Sequence, residues 1–335
     1  MAASIKDVAR EAGVSIATVS RVLNNIDVVN EDTKKKVEDA IKKLSYRPNI
    51  VARSLKTQRT KTLGIIIPDI ASQIYPEVVR GVEDIANIYD YNIILCNTDL
   101  NIQKEKEYLN VLKEKMVDGV VYISSSLEKE VIDTIHELQM PTVLVETSDN
   151  ENTFASVTID NIEAANKAVS FLIEKGNKKI AFIGTSSEKI NASSMRFEGY
   201  KQALEQNNIS FNSNIVKFTE GGIRANNGYA AMNDMLEKGE DFDALFCSND
   251  ELAMGAINAL REKEISVPEQ IDVMGFDNIY ASSVFYPKLT TIAQPLYDMG
   301  SVGTRMLIKI INKEELEKQN YVLNYRMIER NSVKK

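Results

Sequence analysis

The chain has 335 residues, 44% of them hydrophobic, enough for a large buried core and more than one domain. No apolar run approaches bilayer-spanning length, and Lys6, Asp7, Arg10 and Glu11 stand where a secretory leader needs its apolar stretch, so a cytoplasmic location is expected. The net charge of −8 is unevenly divided: residues 1–61 hold 13 Lys and Arg against 7 Asp and Glu, a net of +6, and the remainder holds 27 against 41, a net of −14. A basic head on an acidic body concentrates attraction for phosphate in the head. Cys96 and Cys247 both lie in apolar runs and read as reduced, buried thiols.

Ser4 can cap a first helix, with Asp7 three residues on to complete a capping box, and Ile5, Val8, Ala9 and Ala12 share one face. Gly13 stands where that helix must stop in a left-handed turn. Ser15 then caps a second helix in which Val19, Val22 and Leu23 point inward. Ile16, Ala17, Ser20, Arg21 and Asn24 cover its other side, with Ser15 and Thr18 at its start. Two short helices around a glycine turn read as a helix-turn-helix, or as an ordinary helical hairpin. In the first case Ile16 and Ala17 make apolar contacts in the major groove and Arg21 suits a guanine. Asn30 caps a third helix carrying Val37, Ala40, Ile41 and Leu44 inside and Lys34, Lys35, Lys36, Lys42 and Lys43 outside.

Pro48 stops the third helix but suits the first turn of a new one over Asn49–Lys56, too short to be stable without a partner. A plain linker is the alternative. From Thr62 the texture changes to short β-branched runs at 63–68, 92–97, 119–124, 142–146, 179–184, 244–249 and 272–277, each followed mainly by helix. This is the pattern of buried parallel strands in two doubly wound α/β lobes, which bind ligands beyond the carboxyl ends of their strands. Asp69, Asn249, Asp250 and Asp277 fall at such ends, and Arg196 lies in SSMRFEGY. No Walker loop, GxGxxG, GxSxG or metal-ligand spacing occurs, and the only histidine, His136, has nothing to mark it as a base. The expectation is therefore no enzyme, no metal and no cofactor. In the helix of the segment Gln294–Lys309, Met299, Val302, Met306 and Ile310 form an inner face, and Asp298, Ser301, Arg305 and Lys309 an outward stripe able to hold a phosphate or simply to be solvated.

The segment IKDVAREAGVSIATVSRVLN closely resembles the DNA-binding headpiece of the LacI family of bacterial transcription regulators, and the resemblance runs through the whole chain. It implies a helix-turn-helix headpiece over 1–47, a hinge helix and linker over 48–61, and a periplasmic-binding-protein-like core over 62–335. By the same resemblance the first lobe takes about 62–160 and 291–322, and the second about 161–290 and 323–335. Asn49, Ala52, Arg53, Leu55 and Lys56 match hinge residues that enter the minor groove, with Leu55 as the wedge between base pairs. Arg196, Asn249 and Asp277 match the effector cleft, with Tyr75 placed beside them in Ser72-Gln73-Ile74-Tyr75, a departure from the paired aromatics of many sugar sensors. QPLYDMG followed by Arg305 and Lys309, with GVEDIA, YNIILCNTD and Arg326, is similar to the carbon-catabolite-control branch of that family, whose corepressor is the phosphocarrier HPr phosphorylated on serine. Carried over, Arg305 and Lys309 meet the phosphoserine, with Tyr297, Asp298 and Arg326 nearby and Asp69, Asp84 and Asp99 facing basic residues of HPr. The resemblance implies a homodimer on a two-fold operator, mainly repressing, with a phosphorylated sugar left open as a coeffector. The alternative is a repressor of a sugar-utilisation operon with a small sugar in the cleft.

Overall fold

A computed structural model describes residues 3–23, 29–46, 59–149, 151, 153–185, 191–219 and 222–335. The chain forms two compact units, Met1–Thr60 and Lys61–Lys335. The first contains α1 (Ile5–Ala12), α2 (Ile16–Leu23) and α3 (Glu31–Lys43). Its helices begin where side-chain chemistry predicts. Asp7 accepts the Ser4 N–H at 3.0 Å while Ser4 Oγ accepts the Asp7 N–H at 3.4 Å, and Asn30 caps α3 through the Thr33 N–H at 2.8 Å. Gly13 ends α1 at φ 65°, in the left-handed region that a side chain resists. Val8 of α1, Val19 of α2, and Val37 and Ala40 of α3 form the buried centre, all on faces that the helical spacing marks as apolar.

The second unit is two-lobed. One lobe holds β1 (Thr62–Ile67), α4 (Tyr75–Ile88), β2 (Asn92–Asn97), α5 (Ile102–Glu114), β3 (Gly119–Ile123), α6 (Lys129–Leu138), β4 (Thr142–Val145) and β5 (Ala155–Thr158). The other holds α7 (Asn161–Glu174), β6 (Ile180–Thr185), α8 (Ala192–Gln206), β7 (Val216–Thr219), α9 (Ala225–Glu237) and β8 (Ala244–Cys247). It continues with α10 (Asp250–Glu262), β9 (Asp272–Asp277), α11 (Tyr280–Val284) and β10 (Thr290–Ala293). The chain then returns to the first lobe with α12 (Leu296–Ile311) and β11 (Asn320–Val322), and ends on β12 (Arg326–Ile328) in the second.

The sheets run β11-β5-β4-β3-β1-β2 and β12-β10-β9-β8-β6-β7, the same order repeated. In each, the order reverses beside the first strand of the lobe, between β1 and β3 and between β6 and β8. Ligand crevices open at such places beyond the carboxyl ends of the strands.

β12 pairs with β10 antiparallel, because the chain re-enters the second sheet directly from β11, without a helical crossover. The crossing expected near residue 291 lies between Ala293 and Leu296, because β10, Thr290–Ala293, still pairs with β9 in the second sheet. Thr-Thr-Ile-Ala lacks the apolar run that marks a strand, although all four residues are buried. The lobes touch on both sides of the crevice. Arg224 pairs with Asp69 and donates to the Ala71 carbonyl at 3.1 Å, and the Ala192 N–H donates to the Ser125 carbonyl at 3.0 Å.

Candidate nucleic-acid interface and interlobe site

In the headpiece, Val19 and Val22 anchor α2 to the core, and its opposite face is left open. Ser15 Oγ accepts the Thr18 N–H at 3.1 Å, so the helix start is capped as expected. Ile16 is 44% exposed, Ala17 and Arg21 are exposed, and Thr18 and Ser20 are half-buried at the edges of the face. Arg21 makes no ion pair among the described residues, leaving its five donors available. Asn24, Asn49, Ala52, Arg53, Leu55 and Lys56 lie outside the described residues.

The interlobe site is built from strand ends. Because β8, β9 and β10 are parallel neighbours, Ser248, Asp277 and Gln294 arrive together at their carboxyl ends. Arg196, on α8 and 4% exposed, reaches the first two. Its Nε donates to Asn161 Oδ1 at 2.9 Å, and Nη1 to the Ser248 carbonyl at 2.6 Å and to Asp277 Oδ1 at 3.3 Å. The guanidinium lies over the Phe276 ring, 3.7 Å from its centre. Gln294 Nε2 donates to the same Asp277 oxygen at 2.7 Å. From the first lobe, Glu146 follows β4 and Tyr75 opens α4.

Among the described residues, four buried polar atoms of this cluster have no partner: Arg196 Nη2, Asp277 Oδ2, Gln294 Oε1 and Glu146 Oε2. One is a donor and three are acceptors, and an unmade buried hydrogen bond costs about 1–3 kcal/mol. Burial raises the Asp277 carboxyl to about 6 against the pull of Arg196, and raises Glu146 to about 7. Groups raised in this way contribute stability that is complete below the ordinary carboxyl range and is lost as pH rises through about 6 to 7. A hollow of about 380 Å³, lined by Gln73, Glu77, Asp277, Tyr280, Gln294 and Tyr297, opens beside the cluster. The larger hollow of about 850 Å³ near the C-terminus is lined by none of the four residues with unpaired atoms.

Among the other expected cleft residues, Tyr75 is buried, and burial with the nearby charge of Glu146 holds its hydroxyl well above the ordinary phenol range. Asn249 instead caps α10, accepting the Leu252 N–H at 2.8 Å and donating to the Ile223 carbonyl at 3.3 Å. Glu146, Gln294 and Asn161 are the members that sequence reasoning missed. Glu146 closes the run TVLVE, so the strand-end rule that marked Asp69 and Asp277 also marks it; Asn161 has no such signal.

The residues expected at an HPr surface are scattered in their bonding. Asp69 is taken by Arg224, Asp99 by Lys104 at 2.6 Å, and Lys309 lies 3.4 Å from Glu317. Asp84 holds Arg80 at 3.2 Å and accepts the Tyr297 hydroxyl at 3.1 Å, which raises the Tyr297 pKa. Asp298 and Arg305 are exposed on α12, and Arg326 is exposed on β12, a strand of the second lobe's sheet. Ser301 breaks the expected outward stripe: it is buried because α12 lies against α4 at Gly81, where an added Cβ would meet the Ser301 nitrogen at 2.9 Å.

Residues 60–330 match the model of periplasmic binding proteins and the sugar-binding domain of the LacI family, and residues 4–49 match that of bacterial regulatory proteins of the lacI family. The chain is 66% identical to the HTH-type transcriptional regulator RegA of Clostridium acetobutylicum, with 100% of each chain covered. It is 41% identical to catabolite control protein A of Priestia megaterium, again over 100% of both. A crystal structure of the lac repressor dimer bound to operator and the anti-inducer ONPF superposes with a TM-score of 0.88 at 25% identity, covering 99% of each chain. Among the described residues no helix is long and apolar enough to cross a membrane, and no group of three or more His, Cys, Asp or Glu is placed to hold a metal ion. With a headpiece and a two-lobed core each matched along nearly their full length, the chain belongs to the LacI family of helix-turn-helix DNA-binding transcription regulators.

Proposed function

We propose that the chain is a homodimeric repressor whose operator affinity is set by a small polar effector, of the sugar class, held between the lobes. The observation that carries this reading is the set of four unpartnered buried atoms on Arg196, Asp277, Gln294 and Glu146. Hydroxyls both donate and accept, so a polyhydroxy ligand satisfies an arginine donor and three acceptors together, which a hydrocarbon does not. The lac repressor relative, bound to both operator and a small ligand, supports the same division of labour. The test is an operator titration by fluorescence anisotropy with ribose, glucose, maltose and cellobiose as probes. A change in apparent affinity with at least one sugar is expected; no change with any of them, and none in calorimetry, removes the reading.

The headpiece reading makes its own prediction. Arg21→Ala is expected to lose about 1–3 kcal/mol at one base pair of each half-site and to weaken random-sequence binding far less. Competition between specific and scrambled duplexes at fixed salt checks it. Equal weakening on both duplexes takes Arg21 off the base-reading face.

A second reading, carbon catabolite control with serine-phosphorylated HPr as corepressor, is favoured by the full-length likeness to catabolite control protein A and by the exposed Arg305 guanidinium. Phosphoserine brings nearly two charges and three acceptor oxygens, which an arginine grips and an unmodified serine does not supply. Arg305→Ala with Lys309→Ala is expected to abolish a coupling of about 1–3 kcal/mol between phosphorylated HPr and operator, with basal operator affinity unchanged. The same anisotropy titration with added phosphorylated HPr measures it. A parent that ignores phosphorylated HPr and answers only to a sugar leaves the first reading alone.

A further inference from the structure

We propose that Asp250 is the positioning residue of the interlobe site: it sets the pose of Asp277 from behind the cleft and ties that pose to the exposed helix α11. The inference rests on the effector reading of the cleft. As a polar residue following β8, Asp250 is expected at the cleft mouth, but it is 0% exposed and absent from the cleft lining.

Its two oxygens accept from three different elements. Oδ1 takes the Thr291 hydroxyl of β10 at 2.6 Å, and Oδ2 takes the Ile279 N–H of the turn after β9 at 3.0 Å and the Ser282 hydroxyl of α11 at 2.5 Å. The carboxylate is pressed against the strand that carries Asp277: an added Cβ at Gly275 would come 2.3 Å from Asp250 Oδ1.

The turn it grips needs holding. Asp277 and Asn278 are consecutive non-glycine residues at positive φ; Asn278, at 58°, lies where asparagine is tolerated, but Asp277, at 106°, lies where a side chain stays only when the surroundings over-determine it. Three ties do so here: Asp250 on Ile279, Arg330 on Asn278 Oδ1 at 2.6 Å, and Arg196 with Gln294 on Asp277 itself. Releasing the first lets the turn relax and swings the Asp277 carboxylate away from Arg196. The same release frees Ser282 and with it α11, whose Tyr280 is 79% exposed and lines the cleft mouth. Ligand contact at Asp277 and movement of α11 are thus linked through one buried carboxylate.

Asp250 is held up to about 7, first by burial and then by the charge of Asp277; Arg330 and Cys247 are the other titratable groups that sense it. Its folded value lies above its unfolded one, so the stability it contributes is complete below about pH 4 and is lost as pH rises through about 7.

The test compares the full-length parent, Asp250→Ala and Asp250→Asn by hydrogen exchange and mass spectrometry at several pH values. Asp250→Ala is expected to speed exchange of the 277–285 segment by about tenfold while β6 and β8 keep the parent's protection. Asp250→Asn keeps an acceptor for Ile279 and Ser282 once Thr291 turns its hydroxyl, so protection returns, but the parent's extra opening between about pH 4 and about pH 7 shrinks. Should Asp250→Ala fail to fold, Ser282→Ala removes a single donor and is expected to loosen the same segment more mildly. Unchanged exchange at 277–285 in Asp250→Ala or in that substitute, uniform loosening of the whole lobe, or an Asn variant with the parent's pH trend overturns the proposal. Calorimetry with ribose and cellobiose as probes separates the two ideas: no binding by the parent sinks the effector reading, while exchange still decides the role of Asp250.

Discussion

Arg196→Ala is expected to abolish the response of operator binding to a cleft-bound sugar and to destabilise the second lobe by about 3–5 kcal/mol. The size follows from what the guanidinium does. It is the only cation in contact with the buried Asp277 among the described residues, it satisfies Asn161 and the Ser248 carbonyl, and it covers Phe276. Removing it strands a carboxylate and two acceptors in a dry site, and such stranding costs more than a lost surface pair. Asp277, already raised to about 6, takes up a proton more readily in the variant, so the loss is smaller in acid than at neutral pH. Arg196→Lys is expected to recover little, because an ammonium cannot fork to Asn161, Ser248 and Asp277 at once, nor lie flat on a ring. Urea unfolding at two pH values, with anisotropy titrations in parallel, reads both effects. An alanine variant that unfolds within about 1 kcal/mol of the parent and still answers to sugar would mean that Arg196 is a filler of the core and not a ligand-binding group.

Gly300→Ala is expected to destabilise the first lobe by about 1–3 kcal/mol or more, against the gain of about 1 kcal/mol that the same change brings to an isolated helix. The cause is a close approach of two backbones. A Cβ on Gly300 in α12 would lie 2.0 Å from the Val78 carbonyl oxygen of α4, and one on Gly81 in α4 would lie 2.1 Å from the Tyr297 carbonyl oxygen of α12. Backbone atoms have no rotamer to turn aside, so the helices must separate and give up the packing of Val78, Val82 and Met299. The same contact turns Ser301 inward and brings the Tyr297 hydroxyl to Asp84. Urea midpoints of the parent and variant check the sign directly, since a variant more stable than the parent would show that helix propensity, not the close approach, governs this site.

Much of the architecture is legible in the chain because local chemistry and burial agree there. Ser4, Asp7, Gly13 and Asn30 announce the helix ends of the headpiece through bonds made within one turn, so no distant residue is needed to read them. Runs such as LGIIIP and DVMGFD announce central strands because both their faces are covered. β10 and β12 are not announced, since Thr-Thr-Ile-Ala and Arg-Met-Ile carry no periodic signal and become strands through the neighbours they pair with.

The polar cluster divides along the same line. That Asp69, Asn249 and Asp277 stand at strand ends follows from the order of residues alone; which of them faces a ligand does not. Asp69 is claimed by Arg224, 155 residues away, Asn249 by the start of its own helix, and Asp250 by Thr291, Ser282 and Ile279 behind the cleft. By itself the sequence determined the local elements: helix starts and stops, central strands, a basic head and an acidic body, each set within a few residues by capping, spacing or composition. Only the tertiary structure decided which polar groups are left unpaired, because whether a buried donor or acceptor finds a partner depends on residues that the fold brings in from 17 to 81 positions away around Arg196 and Asp277, and no short-range rule counts them.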